Sequence, residues 1–83
     1  MPLNYLVIQK GTGLLQYSQF HLYDNLDTFY FEGTEEEFAE IEIYKTEASE
    51  KWESNLKIYY YSETEPTEEG NFWHYVDGLP VKW

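Results

Sequence analysis

The residues most able to do chemistry in this chain are two histidines. His21 and His74 are its only imidazoles, and the 83 residues include no cysteine. A nucleophilic triad would join one of them to a serine such as Ser18 or Ser62 and to an acid. Neither serine sits in a nucleophile motif, so each histidine reads as an amphipathic residue on a strand. Two imidazoles among many carboxylates raise the question of a metal, but no pair shows ligand spacing. The run Asp24-Asn25-Leu26-Asp27 lacks the bend glycine and closing glutamate of a calcium loop, and reads as a turn. Lys10-Gly11-Thr12-Gly13 joins two expected strands instead of opening a helix, which removes the amide cradle a phosphate needs. A glycosidase pair needs two carboxyl groups across a cleft, and a chain this short has little room for a cleft beside a core. The expectation is a protein that is not an enzyme and uses no metal or cofactor.

Charge is the stronger signal. From Glu32 to Glu69 the chain holds thirteen glutamates and three lysines (Lys45, Lys51 and Lys57), a local net charge of −10 within a total of −11, and it has no arginine. Such a stretch repels nucleic acid and anionic membrane and attracts basic surfaces. No patch is available to neutralise phosphates, so direct DNA or RNA binding is not expected.

The elements that must carry these charges are read from pattern. The length corresponds to one domain, residues 1–83. Seventeen aromatics outnumber the fifteen Leu, Ile and Val residues, and only Ala39 and Ala48 are alanines. That bias favours pleated surfaces over helices. The fold class expected is α+β, mainly β: a small antiparallel, strongly twisted or part-closed sheet with at most one short helix. Strands are expected at 4–9, 14–23, 28–32, 40–46, 56–62, 71–76 and 79–83. On the third, Phe29 and Phe31 share one face and Tyr30 takes the other. Along 56–62, Leu56, Ile58 and Tyr60 oppose Lys57, Tyr59 and Tyr61. Thr34 with Glu37 fits a capping box that opens a helical turn, and a second turn is expected near Ser49. Asp77-Gly78 signals a hairpin, and Pro80 assigns the last strand to an edge. The absence of cysteine, of a basic leader and of a long apolar run points to a soluble protein in a reducing cytoplasm, bacterial or that of a phage- or virus-infected cell.

The acidic segment interleaves carboxylates with aromatic anchors of the kind enriched at interfaces. Glu40 and Glu42 on one strand face would stand roughly 6.7 Å apart, a step comparable to phosphate spacing. In charge and size the chain is similar to nucleic-acid-mimicking inhibitors: bacteriocin immunity, anti-restriction, glycosylase-inhibitor and anti-CRISPR proteins. The similarity lies in composition and size and implies no residue correspondence. It implies a stoichiometric decoy for a basic protein, a nucleic-acid enzyme such as a nuclease, with Glu35, Glu36, Glu37, Glu40, Glu42, Tyr44, Glu47, Glu50, Trp52 and Glu53 as the contact surface. Two other readings compete: an interaction or assembly module using exposed aromatics, and a sugar or small-ligand module using Trp73, Trp83 and Tyr75.

Overall fold

The computed structural model describes residues 4–20 and 25–83. His21, Asp24 and the distal part of the expected second strand lie outside the described residues. Seven strands and three short helices follow one another: β1 (Tyr5–Ile8), β2 (Leu14–Gln16), α1 (Tyr17–Phe20), β3 (Thr28–Phe31), α2 (Glu35–Ala39), β4 (Glu42–Tyr44), α3 (Glu47–Glu53), β5 (Lys57–Tyr61), β6 (Phe72–Val76) and β7 (Leu79–Lys82). Five strands form one curled sheet in the order β1-β3-β5-β6-β7, and β2 pairs with β4 in a separate ribbon.

The sheet is mostly parallel, which corrects the antiparallel expectation. β3 lies parallel to β1 and β5, and β6 lies parallel to β5; the β6–β7 hairpin alone supplies an antiparallel pair. The reason is the use made of the connections. After the Lys10–Gly13 turn, β2 does not fold back on β1 but leaves the sheet, held instead against β4. The chain then crosses over the sheet and returns beside β1 as β3. A parallel strand needs such a crossover, commonly helical. The interior strand β3 carries the mark of this arrangement: Thr28, Phe29, Tyr30 and Phe31 are all buried, Phe29 and Phe31 beneath the helices and Tyr30 among the rings of Tyr5, Tyr59 and Trp73.

Three helices replace the single one expected. α2 and α3 are each only one or two turns long, and capping supports both. The Thr34 hydroxyl accepts the Glu37 amide at 3.2 Å while the Glu37 carboxylate accepts the Thr34 amide at 3.0 Å. Thr46 and Ser49 repeat this exchange at α3, so Thr46, not Ser49, opens that helix. The expected second strand stops at Gln16, where Tyr17 turns into α1 and buries its ring. Glu40 ends α2 in helical geometry and β4 begins only at Glu42. The two glutamates therefore do not form the strand-face row that their spacing suggested.

The helices pack on one face of the sheet. Tyr17, Phe20 and Trp52 converge on Phe29 at ring-centroid distances of 5.9, 5.6 and 5.9 Å, and Phe38 packs on Phe31 at 5.3 Å. Ile8, Leu15, Leu26 and Ile41 complete this core. Gly33 is buried where a Cβ would stand 2.6 Å from the Phe31 ring, so no larger residue fits without displacing it. At the far end, Asp77 (φ 52°) and Gly78 (φ 81°) form the hairpin turn in the left-handed region, the geometry that matches strand twist. Trp83 donates its amide to the Phe72 carbonyl at 3.0 Å. By the alternation of an antiparallel ladder, the amide position of Pro80 therefore points away from β6. It has no N–H to offer there, which blunts the free edge of β7 against another strand.

Candidate functional site

The acidic residues gather on one layer. The crossover α2–β4–α3 holds eight glutamates (35, 36, 37, 40, 42, 47, 50 and 53) and two lysines. Six of the eight are exposed; Glu37 and Glu53 are half-buried and ion-paired, to Lys10 at 2.9 Å and to Lys45 at 2.7 Å. The Lys10 partner, seconded by the Thr34 amide, holds the Glu37 carboxyl below its ordinary range. On α3, Glu47, Glu50 and Glu53 recur every third residue and so rise by about 4.5 Å a step along the axis. Helical spacing thus replaces strand spacing as the source of the carboxylate row.

Two aromatics were assigned to this surface, and they stand differently. Tyr44 is 60% exposed opposite Gln16, at the same parity as Leu14, itself 46% exposed, on the outer face of the β2–β4 ribbon. Trp52 lies half-buried in the helical layer. It packs edge-on to Tyr17 at 5.2 Å, and its indole N–H donates to the Leu26 carbonyl at 2.7 Å. Of the two, Tyr44 is the side chain that meets solvent among the exposed glutamates. Burial raises the Tyr17 phenol above its ordinary range, and Glu53 adds to the shift.

A groove of about 400 Å³ and a larger one of about 700 Å³ open at the loop between β5 and β6. The larger is lined by Glu35 and Glu36 of α2, by Glu68 and Glu69 of the β5–β6 loop, and by Tyr60 and Phe72. Burial, then the neighbouring Glu35, pushes the Tyr60 phenol up. The groove has acceptors, aromatic surface and the hydroxyls of Thr34 and Ser62, but no cation or imidazole in its lining. Among the described residues no three His, Asp or Glu side chains converge as a metal-binding group. His74 lies flat against Trp83 at 3.7 Å, and the Ser62 hydroxyl donates to the Thr64 carbonyl at 2.7 Å.

Sequence reasoning underweighted the opposite face of the sheet. Tyr5, Tyr30, Tyr59, Tyr61, Trp73 and Tyr75 form a continuous set of ring contacts there. Trp73 is fully buried, and its indole N–H reaches past β5 to the Phe31 carbonyl at 2.7 Å. Its ring faces are covered, so it has none to offer a sugar, and Trp83 has one face occupied by His74. The available signal was alternation: Tyr59 and Tyr61 share a parity with Trp73 and Tyr75 once β5 and β6 are paired.

No protein-family model, no curated protein and no solved structure matches the chain. Its function is therefore argued from these surfaces.

Among the described residues no helix is long and apolar enough to cross a membrane.

Proposed function

We propose that this protein is an acidic stoichiometric inhibitor that presents carboxylates in place of phosphates to the basic groove of a nucleic-acid enzyme, such as a nuclease, a restriction or CRISPR-type effector, or a bacteriocin nuclease. The observation that supports this most is the concentration of eight glutamates on the single α2–β4–α3 crossover, with exposed Tyr44 beside them. A surface that served only solubility would mix signs. Here the two lysine contacts, from Lys10 and Lys45, fall on the two half-buried glutamates and leave the six exposed ones without an ion-pair partner among the described residues. Predominantly negative charge on one layer steers a basic partner into encounter, and an aromatic desolvated on binding then slows its departure. Catalysis, a cofactor and direct nucleic-acid binding form no part of this reading.

The test is affinity capture from a native lysate at low salt, with the bound proteins identified and their activity assayed with and without this protein. A basic nucleic-acid enzyme whose activity falls at one-to-one stoichiometry, and returns as salt is raised, is the expected result. A capture with no such enzyme in it would overturn the reading.

A further inference from the structure

The sheet face opposite the helices has its aromatic set and no helix over it among the described residues; the β5–β6 loop, through Glu65, Pro66 and Glu68, shares a groove with Tyr59 and Lys82 at one part of it. Helices α1, α2 and α3 all pack on the Phe29 and Phe31 side, while Tyr5, Tyr61 and Tyr75 remain 42, 36 and 41% exposed on the other. Along the row set by Tyr61 and Trp73 this face carries one charge of each sign, and Lys57 stands on the same face at the start of β5. Glu32, one residue beyond β3, accepts the Tyr75 hydroxyl at 2.9 Å. Lys82 on β7 stands opposite Trp73 in the register, with its ammonium 4.9 Å from the centre of the Tyr59 ring. Between them lie Tyr61 on β5 and Trp73 on β6, a directly paired couple. Across the sheet the order is thus acid, aromatic, aromatic, base.

We infer that this face binds a second copy of the chain, in a twofold face-to-face dimer. A twofold axis lying between the sheets, along the strands and between β5 and β6, exchanges β3 with β7 and β5 with β6. It sets Glu32 of each copy against Lys82 of the other and brings the two Tyr61–Trp73 couples together. An isologous contact requires this self-complementarity, in which residue i meets j and j meets i. Sheets packed this way sit about 10 Å apart with strands roughly aligned. The charge distribution favours the same arrangement: both acidic crossover layers point outward, where water screens them and the two sheets separate them. Pro80 blunts the β7 edge, which disfavours pairing through that edge. The four overlapping short strands give a footprint smaller than the ~800 Å² per partner of a standard interface, which places the dimer in the weak, concentration-dependent class.

Sedimentation equilibrium on the full chain tests this. The expected wild-type result is a reversible shift from the 10.0 kDa chain mass to twice that value as concentration rises into the high-micromolar range. Lys82→Glu places like charges against each other and should weaken the dimer by about tenfold or more. Glu32→Lys should do the same. The double exchange Glu32→Lys with Lys82→Glu restores opposite charges and should recover the dimer, while circular dichroism shows all three variants folded. A wild-type chain that stays at 10.0 kDa up to about 1 mM would overturn the inference and leave the face to a different partner. A Lys82→Glu variant as dimeric as wild type, or a double exchange that fails to recover the dimer, would also overturn it.

Discussion

The acidic crossover layer and the tyrosine face lie on opposite sides of one sheet and use their side chains in opposite ways. On the crossover, backbone order comes from capping hydrogen bonds and from a few inward residues such as Phe38, Ile41 and Trp52, while the outward positions carry charge. On the tyrosine face, the same side chains that meet solvent also enclose Trp73. Mutation should therefore separate binding from stability on the first surface and fail to separate them on the second. A layer whose charge is decoupled from its fold can be tuned freely towards a partner; a face that doubles as a core cannot.

The largest expected difference is at Trp73. Trp73→Ala removes a fully buried indole and its bond to the Phe31 carbonyl, and should cost about 3–5 kcal/mol. A chain this short has a total stability of about 4–12 kcal/mol, so the variant should melt far below wild type or not fold. Trp73→Phe keeps an aromatic body but leaves the carbonyl unpaired, and should lose about 1–3 kcal/mol beyond the lost volume. Thermal or urea melts measure both. A Trp73→Ala protein with a wild-type melting curve would show that the tyrosine face is not a second core. Trp52→Ala serves as the matched truncation on the crossover, also expected to destabilise by about 3 kcal/mol because its indole packs on Tyr17, Phe20 and Phe29.

Alkaline pH should probe both faces at once, and Tyr30 and Tyr75 in particular. Burial raises the phenols of Tyr17, Tyr30, Tyr60 and Tyr75 above the ordinary value of 10.0, with Glu32 contributing at Tyr75. For a group whose folded pKa is raised, its stabilising contribution is fully present below the unfolded value and is lost as pH climbs through the folded one. The melting temperature should hold to about pH 9–10 and fall steeply above it, with phenolate absorbance appearing in step with unfolding. A chain that keeps its fold well above pH 10 with every phenol ionised would mean these hydroxyls are free in water.

How much of this was legible beforehand depended on whether the signal was local. The Thr34–Glu37 box, the Asp77-Gly78 turn, the edge placement of Pro80 and the facing of Phe29, Tyr30 and Phe31 all follow from neighbours within a few residues, and the structure has each of them. Strand direction was not local. Nothing within Leu14–Gln16 says that it abandons β1 for β4, because that choice is made by Glu42–Tyr44 nearly thirty residues later. The continuous apolar run Thr28–Phe31 was the one readable sign of a parallel centre. At the candidate surface, glutamate identity was readable but geometry was not: the strand-like alternation around Glu40 and Glu42 yielded to a helix end at Glu40, since α2 runs to Ala39.

The crossover glutamates should show the reverse of the Trp73 result. Replacing Glu40, Glu42, Glu47 and Glu50 with glutamine keeps side-chain shape, removes like-charge repulsion, and leaves both ion pairs intact. Melting temperature should hold or rise, and association with a basic partner should slow and lose salt dependence. Tyr44→Ala, at an exposed site, should shift stability by less than about 0.5 kcal/mol while raising the dissociation rate. Stopped-flow or surface binding kinetics beside melts on the same proteins would decide. A glutamine variant that binds as fast as wild type would remove the support for the decoy reading.

A modest effect on stability is expected at the start of the crossover, and it sharpens where that layer's order comes from. Thr34→Ala deletes one half of the capping box and should cost about 1 kcal/mol. Glu37→Gln is milder, since an amide oxygen can still accept from the Thr34 amide; what it loses is the charge against Lys10. The Glu37 carboxyl is held below its ordinary value of 4.5, chiefly by Lys10 and then by the Thr34 amide. A depressed folded pKa means a contribution present above the ordinary value and lost as pH falls through the folded one. The difference in melting temperature between wild type and Glu37→Gln should therefore be visible near neutrality and close in acid, while the Thr34→Ala difference should persist at both. If the Glu37→Gln gap survives in acid, the carboxylate charge is not its source. If Thr34→Ala costs nothing at either pH, packing of Phe38 on Phe31 holds α2 in place without its cap.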